Sequence, residues 1–147
     1  MQGKLSYAKE ILKQGNYTLA LCNGNHGATI TSCQRGVGFL LELVKEGRTL
    51  AGYCAADKVV GKGAAFLYVL LGVNAVYAPV MSRPAKEVLE KHGVAVFCDN
   101  CPDGIINREG NGPCPVEDAV RDISDPRVAL SAIEKRLVEL RKNSKYM

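Results

Sequence analysis

Tryptophan is absent from this chain of 147 residues, and aromatic residues make up only 6% of it. Neither sign of charge dominates: the formal net charge is +4 and the pI is near 8.7. A mild basic excess without a basic cluster gives no clear nucleic-acid partner. No apolar run is long enough for a membrane span of ~20 residues. The longest, AAFLYVLLGVNAVYAPVM, is interrupted by Gly72, Asn74 and Pro79. The first residues, MQGKLSYAKEILKQ, are amphipathic and mixed in charge, so no signal peptide is read there. The expected setting is therefore the cytoplasm, away from membranes. Six cysteines in such a setting are expected to be reduced thiols. No Ser-His-Asp or Cys-His arrangement stands out, and no sequence feature asks for a cofactor.

What is present fits one domain over residues 1–147. Apolar residues are 47% and charged residues 23%, ordinary for a globular protein. A chain of 15.8 kDa buries roughly two thirds of its unfolded surface. Leu5, Ala8 and Leu12 share one face of a helix over about 4–14. YTLALCN (17–23) and ATITSC (28–33) read as a hairpin around GNHG. A short helix over 36–47 ends at Gly47. TLAGYCAA (49–56) and AVYAPV (75–80) are apolar enough for strands buried on both faces. Between them, about 58–71 reads as a helix apolar on nearly every side. An amphipathic helix over 83–92 and the strand VAVFC (94–98) follow. After a loop of roughly sixteen residues, C-terminal helices over 114–142 pack on or beside the domain. The second of them starts at Asp125-Pro126 and carries the stripe Leu130, Ile133, Leu137, Leu140. The tail RKNSKYM is expected to fray. Strands alternating with helices imply parallel pairs and right-handed crossovers, with the hairpin as an antiparallel edge. The expected fold class is α/β: a three-layer α/β/α sandwich with a mixed five-stranded sheet.

In such sheets ligands bind beyond the carboxyl ends of the strands, at helix N-termini. SCQRG (32–36), ADKVVGKGAA (56–65) and SRPAKE (82–87) occupy such places. Asp57 and Ser82 have the chemistry of helix caps. Lys58 and Lys62, four apart on one helix as read here, place like charges at the positive end of its dipole. Arg35 and Arg83 stand at two other helix starts. Four cations at one edge of the sheet suit an anion, a phosphate or a carboxylate. Gly61 and Gly63 cost helix stability, roughly 1 kcal/mol each. They suggest a close backbone approach, to a ligand or to a neighbouring strand. GKG is not a P-loop, because GxxxxGK[ST] is absent.

Cys22 and Cys54 sit in apolar runs and read as small core residues. Cys98 and Cys101 have a C-x2-C spacing and Cys114 follows. A structural zinc needs four ligands. The nearest others are Cys33, Cys54, His92 and His26, so no metal site is assigned. Cys114, ahead of Pro115, reads as a helix cap with Glu117 reaching back to it. A thiol there can also be reactive, which makes Cys114 a ligand-site candidate. His26 falls in the hairpin turn, and His92 ends a helix.

ADKVVGKGAA, SRPAKEVLEKHGV and NREGNGPCPVEDAV together resemble the bacterial domain-of-unknown-function family numbered 1893. The resemblance spans roughly 5–138. It implies membership of the cytidine deaminase-like superfamily. Zinc deaminases carry a His or Cys followed by Glu at one helix start and Pro-Cys-x-x-Cys at the next. Here the first slot holds Ser32, Cys33, Gln34 and Arg35, and the second holds Asp57, Lys58, Val59 and Val60. Without the Glu and the cysteine pair the hydrolytic water has no activator. Three functions fit these residues. The first is a pocket of Arg35, Asp57, Lys58, Lys62, Ser82 and Arg83 that binds a small anionic metabolite or nucleotide. In it Lys58 would be the base or Schiff-base residue, oriented by Asp57, if there is turnover. The second is a non-catalytic regulatory or binding module, which could form a homo-oligomer. The third is a metal- or redox-responsive protein using Cys98, Cys101 and Cys114.

Overall fold

The computed structural model describes residues 2–24, 28–107 and 109–145. In chain order the elements are α1 (Gln2–Gln14), β1 (Leu19–Cys22), β2 (Thr29–Ser32), α2 (Gly38–Lys45), β3 (Cys54–Asp57) and β4 (Val59–Val60). They continue with α3 (Lys62–Leu71), β5 (Ala75–Met81), α4 (Arg83–Lys91), β6 (Ala95–Asn100), α5 (Pro115–Ala119) and α6 (Pro126–Lys145). The sheet is open and mixed. β1 pairs antiparallel with β2 and β3, while β5 pairs parallel with β3, β4 and β6. The pairs Ala56–Tyr77 and Val59–Val80 keep one register, so β3 and β4 form one strand line broken at Lys58. The hairpin strand β2 ends one side of the sheet and β6 the other.

Alternation along the central strands sorts their side chains into two clusters. Cys54, Ala56, Ala75 and Tyr77 meet Leu5, Ala8 and Leu12 of α1. Ala55, Val76 and Ala78 join the larger cluster with side chains from α2, α3, α4, α5 and α6. Phe66, Leu67 and Leu71 of α3 are fully buried there, each contributing roughly 1.5–3 kcal/mol of burial. α3 ends where Gly72 takes φ +80°, a conformation that a side chain resists.

The starts of β3 and α3 differ from the sequence reading, the sheet has six strands and not the expected five because β4 is added, and these differences bear on the site. β3 starts at Cys54, because Tyr53 N–H bonds back to Leu50 O at 3.0 Å around Gly52, whose φ is +89°. α3 starts at Lys62, not at Lys58. Val59 and Val60 are β-branched and pair with Val80 and Met81 instead of entering the helix. Gly61 is the N-cap, with extended φ −95° and ψ 178°. α6 continues through residues 141–145 of the expected frayed tail. No helix among the described residues is long and apolar enough to cross a membrane.

Candidate ligand site at the helix starts

Moving the start of α3 changes what Lys58 and Asp57 can be. Lys58 sits at the strand break, exposed, and is not in the first turn of a helix. It shares no helical face with Lys62. Asp57 does not cap α3. Its carboxylate accepts from Tyr68 Oη at 2.7 Å and from the Val59 N–H at 3.4 Å. Asp57 is 8% exposed. Burial pushes its carboxyl up to about 7, against the opposing pull of the Tyr68 hydroxyl and two backbone N–H groups. Burial first, and then the Asp57 charge, also raise Tyr68 well above its ordinary value.

Leu19 pairs with Ser32 on one side and with Asp57 on the other. Ser32 and Asp57 therefore flank β1 at one end of the sheet. Thr18 ties them together: its hydroxyl donates to Ser32 O (3.0 Å) and Gln34 O (2.6 Å), and its carbonyl accepts from Lys58 N–H (3.0 Å). Arg35 is exposed in the loop before α2, whose N-cap is Val37. It is thus not a first-turn residue. No three His, Cys, Asp or Glu side chains among the described residues converge as a metal site. Arg35 and Lys58 are cations and supply no metal ligand.

The other two cations do open helices. Arg83 follows the cap Ser82, whose Oγ accepts the Ala85 N–H at 3.2 Å. Its guanidinium pairs at 3.2 Å with Asp103 in solvent. Lys62 opens α3, and its ammonium donates to Arg121 O at 2.7 Å. Where these two helix starts meet, a residue with a different expected role takes over. Glu117 does not reach back to Cys114, and the Cys114 side chain makes no cap bond. Glu117 Oε2 accepts the Lys62 N–H at 2.7 Å and the Ser82 hydroxyl. Its Oε1 accepts the Ile105 N–H at 2.6 Å. A Cβ on Gly61 would lie 3.3 Å from Oε2, and one on Gly104 would lie 3.5 Å from Oε1. The expected close approach at Gly61 and Gly63 is therefore to α5: a Cβ on Gly63 would come within 2.6 Å of Val116 Cγ1.

A cleft of about 240 Å³ opens beside Glu117, lined by Lys62, Pro84, Gly104, Pro113 and Arg121 among others. A groove of about 170 Å³ continues from Lys62 and Pro84 toward Lys91 and His92. Of the expected ligand residues, Lys62 and Ser82 meet at Glu117. Arg83 is turned to Asp103, while Arg35 and Lys58 lie elsewhere. Cys114 contributes backbone, its N–H bonding Ile105 O at 2.8 Å and so holding the loop that carries the Ile105 donor. Cys98 lies near Cys101, and burial raises its thiol. His92 Nδ1 is 2.9 Å from Val88 O. His26 lies outside the described residues. Sequence reasoning missed Thr18, Tyr68 and the partners of Glu117. The usable signal was that a tyrosine on an all-apolar helix and an aspartate ending an apolar strand each need a partner.

No curated protein matches the chain. A crystal structure of a DUF1893 family protein, TM1506 from Thermotoga maritima, is similar to it with a TM-score of 0.84 and 25% identity. That similarity covers 92% of this chain and 91% of the other. Residues 7–137 match the family described as TM1506, domain of unknown function (DUF1893), and the chain belongs to that family.

Proposed function

We propose that this domain binds a small anionic metabolite, a carboxylate or a phosphate up to the size of a nucleotide, at the junction of α3, α4 and α5. The observation that carries the reading is the convergence of three donors on one carboxylate. Lys62 N–H, Ile105 N–H and the Ser82 hydroxyl all point at Glu117. Two of these are fixed backbone groups, one of them at a helix N-terminus, where the dipole favours negative charge. The glycines at 61 and 104 leave room for oxygen atoms. In this reading a ligand's carboxylate or phosphate takes the place of the Glu117 side chain, and its remainder lies in the cleft between Lys62 and Arg121. We place the fold in the three-layer, cytidine deaminase-like class without its zinc chemistry.

The test is a thermal-shift titration with acetate and inorganic phosphate. Ligand at a hundredfold excess over its dissociation constant should stabilise the native state by about 2.7 kcal/mol. Glu117→Ala, with its donors vacated, should respond at lower ligand concentration than the wild type. Lys62→Met with Arg121→Met should lose the phosphate response. An unchanged melting temperature in both wild type and Glu117→Ala would overturn the reading.

A catalytic reading rests on a different observation: the Asp57 carboxyl, raised to about 7, stands next to the exposed Lys58. A group that titrates near neutrality can shuttle a proton. Turnover of a carbonyl substrate that Lys58→Met abolishes would select this reading. Borohydride trapping of a Schiff base on Lys58 would do the same.

A further inference from the structure

We propose that Cys98 and Cys101 form a reversible redox site: a disulfide oxidant closes them into an intrachain disulfide at the end of β6, and a thiol reductant reopens it. Both are free and partly buried. Cys98 stands in β6 in register with Ala78 and packs against the larger core cluster. Cys101 is the first residue after the strand, and the residue behind it is tied down: Pro102 O accepts the Arg83 N–H at 2.8 Å. The sheet thus fixes one cysteine, and the start of α4 fixes the segment that carries the other. Held this way, the two side chains are hydrogen-bonding neighbours, with Lys86 of α4 close enough to act on the Cys98 thiol.

The surroundings of the pair select its chemistry. A structural metal needs four ligands, and no three His, Cys, Asp or Glu side chains converge among the described residues. Two adjacent thiols without further ligands have the chemistry of disulfide exchange. The other cysteines lack what that exchange requires. Cys22 and Cys54 face each other across β1 and β3, but both are fully buried, beyond the reach of an oxidant. Cys33 is exposed, and it follows β2 at the opposite edge of the sheet from β6.

Closure balances as an exchange of thiols and disulfides. The Cys101 thiolate attacks one sulfur of a low-molecular-weight disulfide such as oxidised glutathione. A mixed disulfide forms, and the released thiolate takes up the proton that Cys101 lost. Cys98 then attacks the Cys101 sulfur, the ring closes, and the second thiol departs with the Cys98 proton. The protein dithiol is oxidised and the oxidant's disulfide is reduced to thiols. Cys98 suits the second step. Burial raises its thiol, with the Cys101 neighbour adding to that and Lys86 opposing it. It need attack only a sulfur already beside it. The ring closes at the root of the loop that delivers the Ile105 N–H to Glu117.

The experiment is a titration of the full chain with mixtures of oxidised and reduced glutathione, quenched with iodoacetamide and read by mass spectrometry. Trypsin releases residues 92–108, a peptide that holds Cys98 and Cys101 and no other cysteine. Closure shows there as loss of the thiol hydrogens and of both alkylation sites. The folded chain should close at about tenfold less oxidised glutathione than the same chain in urea, because the fold keeps the thiols together. Dithiothreitol should restore both alkylation sites. Cys98→Ser should stop at the mixed disulfide, seen as a glutathione adduct on Cys101. Should serine at this partly buried position fail to fold, Cys98→Ala carries the same expectation. Closure that needs as much oxidant in the folded chain as in urea overturns the proposal. So does a peptide that keeps both thiols while Cys33 is glutathionylated, a bond from either cysteine to Cys33 or Cys114, or a folded Cys98 variant without the adduct.

Discussion

Glu117 and Asp57 both direct a carboxyl at α3, and the chain surrounds them in opposite ways. Glu117 comes in from α5 and meets three donors at the helix start, two of them backbone N–H groups that have no partner inside the helix or loop. Asp57 ends β3 inside the apolar layer, with the Tyr68 hydroxyl at 2.7 Å and one long contact from Val59 N–H. A helix start offers donors to any oxyanion. The break in a strand line offers one hydroxyl and little water. The first environment is built to hold negative charge and the second favours its neutralisation, which is why Asp57 is pushed up to about 7. In the readings proposed above, the first surrounding is the one given to anion recognition and the second the one given to proton exchange.

The largest expected effect tests the Asp57 side of this contrast. Its folded value of about 7 stands above the ordinary 3.8, so the native state keeps a proton that the unfolded chain releases. Stability from this group is therefore fully present below about pH 3.8 and is lost as the pH rises to about 7, beyond which it is flat. The gap corresponds to about 4 kcal/mol. Asp57→Asn cannot ionise and its amide oxygen can still accept from Tyr68. The variant should gain on the wild type steadily across that window in chemical denaturation at several pH values. Parallel curves for the two proteins would mean that Asp57 is not held neutral.

Next comes the Glu117 side. Glu117→Ala leaves three donors without their acceptor and should cost about 3 kcal/mol in urea denaturation with an unchanged slope. Glu117→Gln keeps one acceptor oxygen and should cost about half as much. If the alanine variant costs less than the glutamine variant, the donors are satisfied by water and the contrast with Asp57 weakens.

The sequence made the order of the elements other than β4, the hairpin edge, the cap at Ser82 and the start of α6 at Pro126 legible, because each follows from periodicity or from local cap and turn chemistry. The strand break at Lys58 was hidden. VV followed by GKGAA is as apolar as the helix behind it, and only pairing with Val80 and Met81 decides the matter. That single misplacement put Lys58 on a helix and made Asp57 a cap. Glu117 was recognised as a residue that reaches a helix start, but of its own helix. Its true partners are 55, 35 and 12 positions away in sequence, and no local rule connects them. Arg35 failed for a smaller reason: Gly36, at φ +79°, turns the chain before α2 begins at Gly38.

The smallest effect separates the two networks directly. Ser82 has two jobs: its Oγ accepts the Ala85 N–H as the α4 cap, and its hydroxyl donates to Glu117. Loss of a serine cap costs about 1 kcal/mol, and the bond to Glu117 should add a similar amount to Ser82→Ala in the wild type. In a Glu117→Ala background that second part has already gone, so Ser82→Ala should cost only the cap, and the pair should couple by about 1 kcal/mol. In an Asp57→Asn background Ser82→Ala should keep its full cost, because Asp57 bonds Tyr68 and Val59 and shares no partner with Ser82. The cycle is measured by urea denaturation of the singles and doubles at one pH. Equal costs of Ser82→Ala in all three backgrounds would show that the hydroxyl holds the helix but not the carboxylate, leaving only two donors on Glu117. Coupling to Asp57 of the same size would show that the two carboxyls belong to one network, and the distinction between an anion cradle and a proton site would fall.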